Sequence, residues 1–466
     1  MQTFVSTDPP AAAAAAPEAA PPARHAEWAD RAVEAAYGFL IVTPMLFVVQ
    51  LGSAAPALSY AFICLYALRH GRQALESLLR RWPLLVFLGL AVASTVWSDY
   101  RSLTLKHSFE LCGTAIGGLL LSSSRRPMAA LSGVWGAFAL FMVLSLGFGH
   151  SIGVGQGAGG DDSAFAGLNG AKNLFGLTAA LGVLLSLFQM TYALRSRSWA
   201  GVAASVCILA LELYLTWVAR SAGALVSLVL ATAAFFVTDA FRFISPRLRG
   251  VAWGFLTAVL AGAGALAYAY ANNVTSTVLD IFHKDPTLTG REYLWYRAHD
   301  IIQDRPLLGR GFEAFWVQGN TDAEGLWEYG KIAQRGGFNF HNTLIELLVH
   351  FGWVGTVLTL LVFATAFGFL VRRCIREPSL AVAFYFAFMV FELARSPFES
   401  LMPAAFDFTT LLLFASLGFG FHALPAPARA FVLQPASGLP YRTPASAQPG
   451  VWSLRSRMAR DSERSL

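Results

Sequence analysis

The chain has 466 residues, of which 56% are hydrophobic and 13% charged, and its mean hydropathy is +0.53. A soluble protein of this length carries about 25% charged residues, so composition argues against a soluble enzyme, and the formal charge of +6 reads as membrane topology rather than a nucleic-acid footprint. The four cysteines fall in or beside different apolar runs and give neither a disulfide framework nor a metal cluster.

Residues 1–34 are rich in Ala and Pro, lack a signal-peptide pattern, and are expected to form a disordered cytoplasmic tail. Apolar runs then recur, each near the length that crosses a bilayer core of about 30 Å. They predict an all-α polytopic membrane protein with about twelve transmembrane helices, at 35–51, 54–68, 83–97, 106–121, 128–149, 171–194, 200–218, 221–238, 251–271, 342–370, 379–394 and 403–423. Spans two to four are short. The chain divides into spans one to nine (35–271), a large polar loop (272–341), spans ten to twelve (342–423) and a second tail (424–466) rich in Pro, Ser, Ala and Arg.

Charge orients this arrangement. Arg69, Arg72, Arg80, Arg81, Arg125, Arg126, Arg195, Arg197, Arg242, Arg247, Arg249, Arg372, Arg373 and Arg376 fall in connections on one side. The short connections opposite hold only Arg101, Lys106, Lys172, Arg220 and Arg395. Lys/Arg bias marks the cytoplasmic side, which predicts cytoplasmic tails and a periplasmic loop 272–341. An ionisable side chain at the bilayer centre costs roughly 2.5–3.5 kcal/mol and should face a cavity or a partner. Glu110, Glu212, Glu346, His350, Glu392 and Asp407 all fall in the outer halves of their spans. With Lys106, Lys172, Arg220 and Arg395 nearby, they predict a polar cavity open to the periplasm.

Candidate chemistry gathers on that side. Lys172 and Asn173 follow a Gly-rich stretch at the start of span six, with spacing that does not fit a phosphate-binding Walker loop. Arg220 stands in the tight turn between spans seven and eight, where a guanidinium can grip phosphate oxygens through two parallel hydrogen bonds. Arg291, Trp295 and Ile302 are at helical spacing and predict a short amphipathic helix in the loop. Asn342, Glu346 and His350 recur every four residues on one face of span ten, and His341 precedes them at the helix N-terminus. The helix dipole and nearby arginines disfavour imidazolium there, which suits a general base, while the plainer reading is a histidine capping the helix with Asn339 or Asn342. Asp161-Asp162 and Asp322-Ala323-Glu324 make no persuasive metal site, so the expected chemistry needs neither a metal nor a cofactor.

Taken in order, Gly170-Ala171-Lys172-Asn173, Ala219-Arg220-Ser221, Thr289-Gly290-Arg291 with Trp295, Leu308-Gly309-Arg310-Gly311-Phe312, and His341-Asn342 with Leu344, Glu346 and Gly352 resemble the O-antigen ligase/polymerase superfamily. Ser94-Thr95-Val96-Trp97-Ser98-Asp99-Tyr100, followed by Leu103-Thr104-Leu105, is similar to its exopolysaccharide polymerase (ExoQ-type) branch. The resemblance covers roughly residues 35–420 and implies a GT-C-like membrane glycosyltransferase of the bacterial inner membrane, acting on the periplasmic face.

It implies a donor oligosaccharide on undecaprenyl diphosphate and an acceptor that is a second lipid-linked repeat (polymerase) or lipid A-core (ligase). For a polymerase, a chain-length regulator is a candidate protein partner that the sequence does not identify. Carried over, Arg220 and Arg291 would hold the diphosphate and His341 would activate the acceptor hydroxyl in an inverting displacement. Lys172, Asn173, Asn342, Glu346, Glu392 and Arg395 would be cavity or substrate contacts. Ala219 departs from the pattern, because many members carry a small hydroxyl residue there. The rival class is a transporter or lipid-linked sugar flippase, which would show repeated halves and midplane charges, neither of which this sequence has.

If Arg220 holds diphosphate, Arg220→Lys impairs transfer, because a point charge cannot reproduce the guanidinium fork. Wild-type transfer by that variant would remove the assignment.

Overall fold

The computed structural model describes residues 24–153, 163–255, 258, 291–330, 332, 335, 338–397, 399–400 and 403–421. The expected C-terminal tail, residues 1–23, most of expected span nine, Asp161-Asp162 and Thr289-Gly290 lie outside the described residues.

Helices dominate. The N-terminal half holds α1 (Arg24–Leu46), α2 (Val48–Leu51), α3 (Ala54–His70), α4 (Arg72–Arg80), α5 (Trp82–Ala93), α6 (Arg101–Ser122) and α7 (Pro127–Phe148). A hairpin of β1 (His150–Gly153) and β2 (Ser163–Gly167) flanks part of the Gly-rich stretch that precedes Lys172. Then follow α8 (Lys172–Arg195), α9 (Trp199–Val218), α10 (Ala222–Ala240), α11 (Arg291–Asp304), α12 (Thr321–Tyr329), α13 (Thr343–Arg376), α14 (Leu380–Arg395) and α15 (Phe408–Gly420).

One boundary differs from expectation. Residues 24–34, read as tail, are the first turns of α1. Glu27, Asp30 and Arg31 mask this helix in a hydropathy reading, yet its Glu34 is buried and takes a hydrogen bond from the Tyr66 hydroxyl at 2.8 Å. An internal partner offsets the cost of burying that carboxylate.

Five described helices are long and apolar enough to cross a membrane: Pro127–Phe148, Lys172–Arg195, Trp199–Val218, Ala222–Phe243 and Thr343–Arg376. Arg72–Arg80 and Trp82–Val96, bent by 83°, would make six as one broken span. The fold is thus that of an α-helical polytopic membrane protein. Other expected spans are shorter helices, such as α15 with 13 residues, or carry charges, as α6 does with Arg101, Lys106 and Glu110. The described helices do not by themselves establish twelve crossings.

The helices pack in pairs, with α1 along α7, α8 along α9, α6 along α15 and α10 along α14. At the α1–α7 crossing a Cβ on Gly133 would lie 1.9 Å from the Ala35 carbonyl oxygen, and one on Gly38 would lie 2.1 Å from that of Ala130. Small residues let membrane helices approach until backbones touch.

The feature that positions the site is a break in α13. Gly352 has φ +60°, outside the helical region, so the helix is two pieces joined at a kink. The break removes the bonds that the Trp353 and Val354 N–H groups would make to the Val349 and His350 carbonyls. The segment after α11 restores all four groups. Trp353 N–H donates to Pro306 O at 2.7 Å and Val354 N–H to Leu307 O at 3.1 Å. Val349 O accepts from Arg310 N–H at 2.8 Å and His350 O from Gly311 N–H at 2.9 Å. Irregular backbone in a membrane protein persists only where such partners are supplied.

The joint has no room for side chains. A Cβ at Gly352 would sit 2.3 Å from the Leu307 carbonyl carbon, and one at Gly309 (φ +66°) 2.6 Å from the Gly352 nitrogen. Gly352→Ala therefore combines a left-handed backbone penalty of roughly 1–2 kcal/mol with overpacking of about 1–3 kcal/mol. Thermal melting of the purified protein in detergent should show a clear loss, and an unchanged melting point would contradict the joint.

Candidate active site

His341 sits immediately before α13. The Asn342 side chain caps the helix, its Oδ1 accepting from Leu344 N–H at 3.0 Å and Ile345 N–H at 3.1 Å. Asparagine is a favoured N-cap because its oxygen satisfies amides that the helix leaves open. With the cap one position later, His341 is free of that duty, and its backbone is left-handed at φ +51°. A non-glycine residue held there stores strain of order 1–3 kcal/mol and needs fixed neighbours.

Those neighbours are fixed on both sides. Phe340 N–H donates to Glu346 Oε1 at 2.6 Å, while Phe340 O accepts from Trp295 Nε1 at 2.8 Å. His341 N–H itself donates to Asn339 Oδ1 at 2.8 Å. On the far side Thr343 N–H reaches Ser396 O at 3.1 Å, and its hydroxyl reaches Glu399 O at 3.0 Å. The segment after α14 is thus stitched to the start of α13.

That stitching brings in Glu399, which sequence reasoning missed. His341 Nδ1 lies 3.0 Å from Glu399 Oε2, and Arg291 Nη2 lies 3.0 Å from Glu399 Oε1. One carboxylate bridges the histidine and the arginine. A carboxylate can only accept here, so Nδ1 presents its N–H to Glu399, and in the neutral form of the ring Nε2 carries the lone pair. The three side chains are 18–23% exposed, enclosed yet reachable. Burial pushes the Glu399 carboxyl up, but the His341 hydrogen bond and the charges of His341, Arg291 and Arg395 outweigh it and hold the group below its ordinary range. A signal for Glu399 did exist. It is the acidic residue between expected spans eleven and twelve (395–402), one turn beyond Arg395.

Helix α11, expected from Arg291, Trp295 and Ile302, forms as Arg291–Asp304 and buries Leu294, Ala298 and Ile301. Arg291 and Trp295, one turn apart, grip Glu399 and the Phe340 carbonyl respectively. Arg395 pairs with Glu392 Oε2 at 3.4 Å, and its carbonyl accepts from Glu399 N–H at 2.9 Å. Asn342 also donates from Nδ2 to Pro397 O at 3.3 Å. Glu346 is 2% exposed and turned inward, with Trp316 Nε1 at 3.3 Å and His350 Nε2 at 3.5 Å from its oxygens.

Lys172, Asn173 and Arg220 lie on neighbouring elements. Lys172 and Asn173 occupy the first turn of α8, and one turn on, a Cβ at Gly176 would lie 2.6 Å from Ser221 Cβ and 3.4 Å from Ala219 Cβ. This glycine seats the α9–α10 turn against the start of α8. Arg220 is exposed with φ +50°. Among the described residues the left-handed non-glycines are Arg197, Arg220, Glu313 and His341, so two of the four are predicted site residues.

The Ser94–Leu105 segment has a structural part as well. Trp97 Nε1 donates to Leu308 O at 2.8 Å, and Arg305 Nη2 meets Asp99 Oδ1 at 2.7 Å. Ser94 Oγ accepts from Phe312 N–H at 3.0 Å, Thr104 Oγ1 donates to Phe312 O at 3.0 Å, and His107 Nδ1 meets Glu313 Oε2. It clamps the loop that fills the α13 break.

Residues 181–360 match the model of the O-antigen ligase family, a range that contains Arg220, Arg291 and His341. Over 326 residues the chain is 31% identical to the exopolysaccharide production protein ExoQ of Rhizobium meliloti (strain 1021), covering 68% of this chain and 72% of that relative. An enzyme family now stands in place of the transporter alternative. The chain belongs to the O-antigen ligase/ExoQ-type superfamily of membrane glycosyltransferases, whose members act as polymerases or ligases.

Proposed function

We propose that this protein is an exopolysaccharide polymerase that joins undecaprenyl-diphosphate-linked oligosaccharide repeats on the periplasmic face of the bacterial inner membrane, with both tails cytoplasmic and about twelve crossings. The observation that carries this reading is the Arg291–Glu399–His341 array, in which one carboxylate orients a histidine beside an arginine. Similarity to an exopolysaccharide production protein favours a polymerase over a ligase that uses lipid A-core.

In the proposed step, His341 Nε2 takes the proton of an acceptor hydroxyl as its oxygen attacks the anomeric carbon. The bond from that carbon to the diphosphate oxygen breaks, its electron pair leaves with the lipid diphosphate, and the configuration inverts. Glu399 holds the ring in the tautomer that exposes Nε2 and balances the charge the ring acquires, as the carboxylate does in His-carboxylate catalytic pairs. Arg291 and Arg220 neutralise the leaving diphosphate, which lets it depart without a metal. Lys172 and Asn173, beside the Arg220 turn, contribute donors to the same anion. Arg395, Glu392, Asn342 and Glu346 keep the array in register.

Two measurements test this. His341→Ala at normal expression should lower polymerisation of purified lipid-linked repeats by about 10²–10⁴-fold, the span of general base catalysis; unchanged polymer would reject the role. Glu399→Gln keeps the shape of the bridge and removes its charge, and should lower the rate with little change in apparent donor affinity. Its stability readout has a definite sign. A carboxyl held below its usual range adds stability that is complete above the unfolded value and disappears as pH falls through the folded one. The wild type should therefore melt above Glu399→Gln near neutral pH, with the gap closing in acid. A gap that fails to close at the acid limit would contradict the bridge.

A further inference from the structure

Helix α6 links the candidate site to the opposite end of the molecule. Its N-terminal turns hold the loop through Thr104 and His107. Its 22 residues span about 33 Å at 1.5 Å per residue, roughly a bilayer core. Beyond its C-terminus, between the start of α1, the end of α3 and the α6–α7 connection, lies a cavity of about 400 Å³ lined by Asp30, Glu34, Arg69, His70, Arg125 and Arg126.

Two of the lining residues, Glu34 and His70, belong to an interlocked polar group. Glu34 accepts from the Tyr66 hydroxyl at 2.8 Å, and the Tyr66 ring stacks on Tyr37 (centroids 3.7 Å apart) and lies 4.1 Å from His70. His70 Nδ1 is 3.0 Å from the Tyr66 carbonyl oxygen, which can only accept, so its Nε2 is left facing Glu34 Oε1 at 3.8 Å. Among the described residues, no carboxylate comes within 4.0 Å of the Arg69, Arg125 or Arg126 guanidinium, although Asp30 and Glu34 line the same cavity. Three guanidiniums against two carboxylates leave one positive charge in excess among the lining groups that are permanently or ordinarily charged.

We infer that this cavity binds a phosphodiester headgroup, with the phosphate among Arg69, Arg125 and Arg126 and a hydroxyl or ammonium substituent turned toward Asp30 and Glu34. A phosphodiester carries the single negative charge that the cavity lacks, and guanidiniums match its oxygens. Hydroxyl or ammonium donors are what the two carboxylates accept. A basic pocket between helices at one membrane boundary takes lipid headgroups, and a water-soluble glycerophosphodiester offers the same chemistry. This site is separate from the transfer site and does not depend on its reading.

The test is native mass spectrometry of the full chain in detergent, titrated with phosphatidylglycerol and separately with soluble glycerophosphoglycerol. The comparison protein is the triple variant Arg69→Lys, Arg125→Lys, Arg126→Lys, which keeps the charge that orients the chain and loses the forked geometry. The wild type should bind one lipid at least tenfold more tightly than the variant, and the soluble diester should compete for it. Soluble diester binding as tight as the lipid also supports the site and makes a soluble molecule its ligand. Should the variant fail to fold, competition on the wild type alone decides. Equal lipid affinity in both proteins, or a soluble diester that neither binds nor competes, overturns the inference.

Discussion

The structure of the candidate site depends on a backbone joint. At Gly352 the helix that follows His341 gives up two internal hydrogen bonds, and the 306–311 segment takes over both donors and both acceptors. An unpaired peptide group away from water costs several kcal/mol, so neither the kink nor the loop is stable without the other. The joint fixes where α13 begins, and α13 carries His341 at its lip. Ser94, Trp97, Asp99 and Thr104 hold the same loop from the other side. The loop is therefore a packed part of the helical body rather than a lid over it.

On that base, charge is arranged by few contacts. Glu399 receives Arg291 from one direction and His341 from another, and its backbone is tied to Arg395 and Thr343. A carboxylate between a cation and an imidazole removes the ambiguity over which ring nitrogen is protonated. It also explains why a strained histidine is tolerated, since the bonds around Phe340 and Thr343 hold the backbone on both sides. The start of α8, with Lys172, is seated separately, by the close contact of Gly176 with the turn that carries Arg220.

Much of this was legible in the sequence, for physical reasons. Membrane helices announce themselves through length and hydropathy, and Arg291, Trp295 and Ile302 at helical spacing located α11. His341 and Asn342 were visible as the end of a polar stretch before an apolar run, although only the structure assigns the cap to Asn342. What was hidden depended on contacts between distant segments. Glu399 is one carboxylate in a short connection, and nothing local ties it to a histidine 58 residues earlier. The role of Trp97-Ser98-Asp99 is likewise a docking contact with residues more than 200 positions away. Glu346 is 2% exposed and its carboxylate accepts from Phe340 N–H. Its helical face was readable, but its burial by Trp316 was not. Charges also concealed the first turns of α1, because a hydropathy reading cannot know that Glu34 has Tyr66 as a partner.

On this reading His341 and Glu399 act as one unit. The most direct measurement is a cycle of polymerisation rates for wild type, His341→Ala, Glu399→Gln and the double variant, with purified lipid-linked repeats under saturating donor. Groups that act as a unit are strongly non-additive. The double variant should be no slower than His341→Ala alone, because the carboxylate has no ring left to orient. Penalties that multiply, leaving the double variant slower by the product of the two single losses, would show that the residues work independently and contradict it.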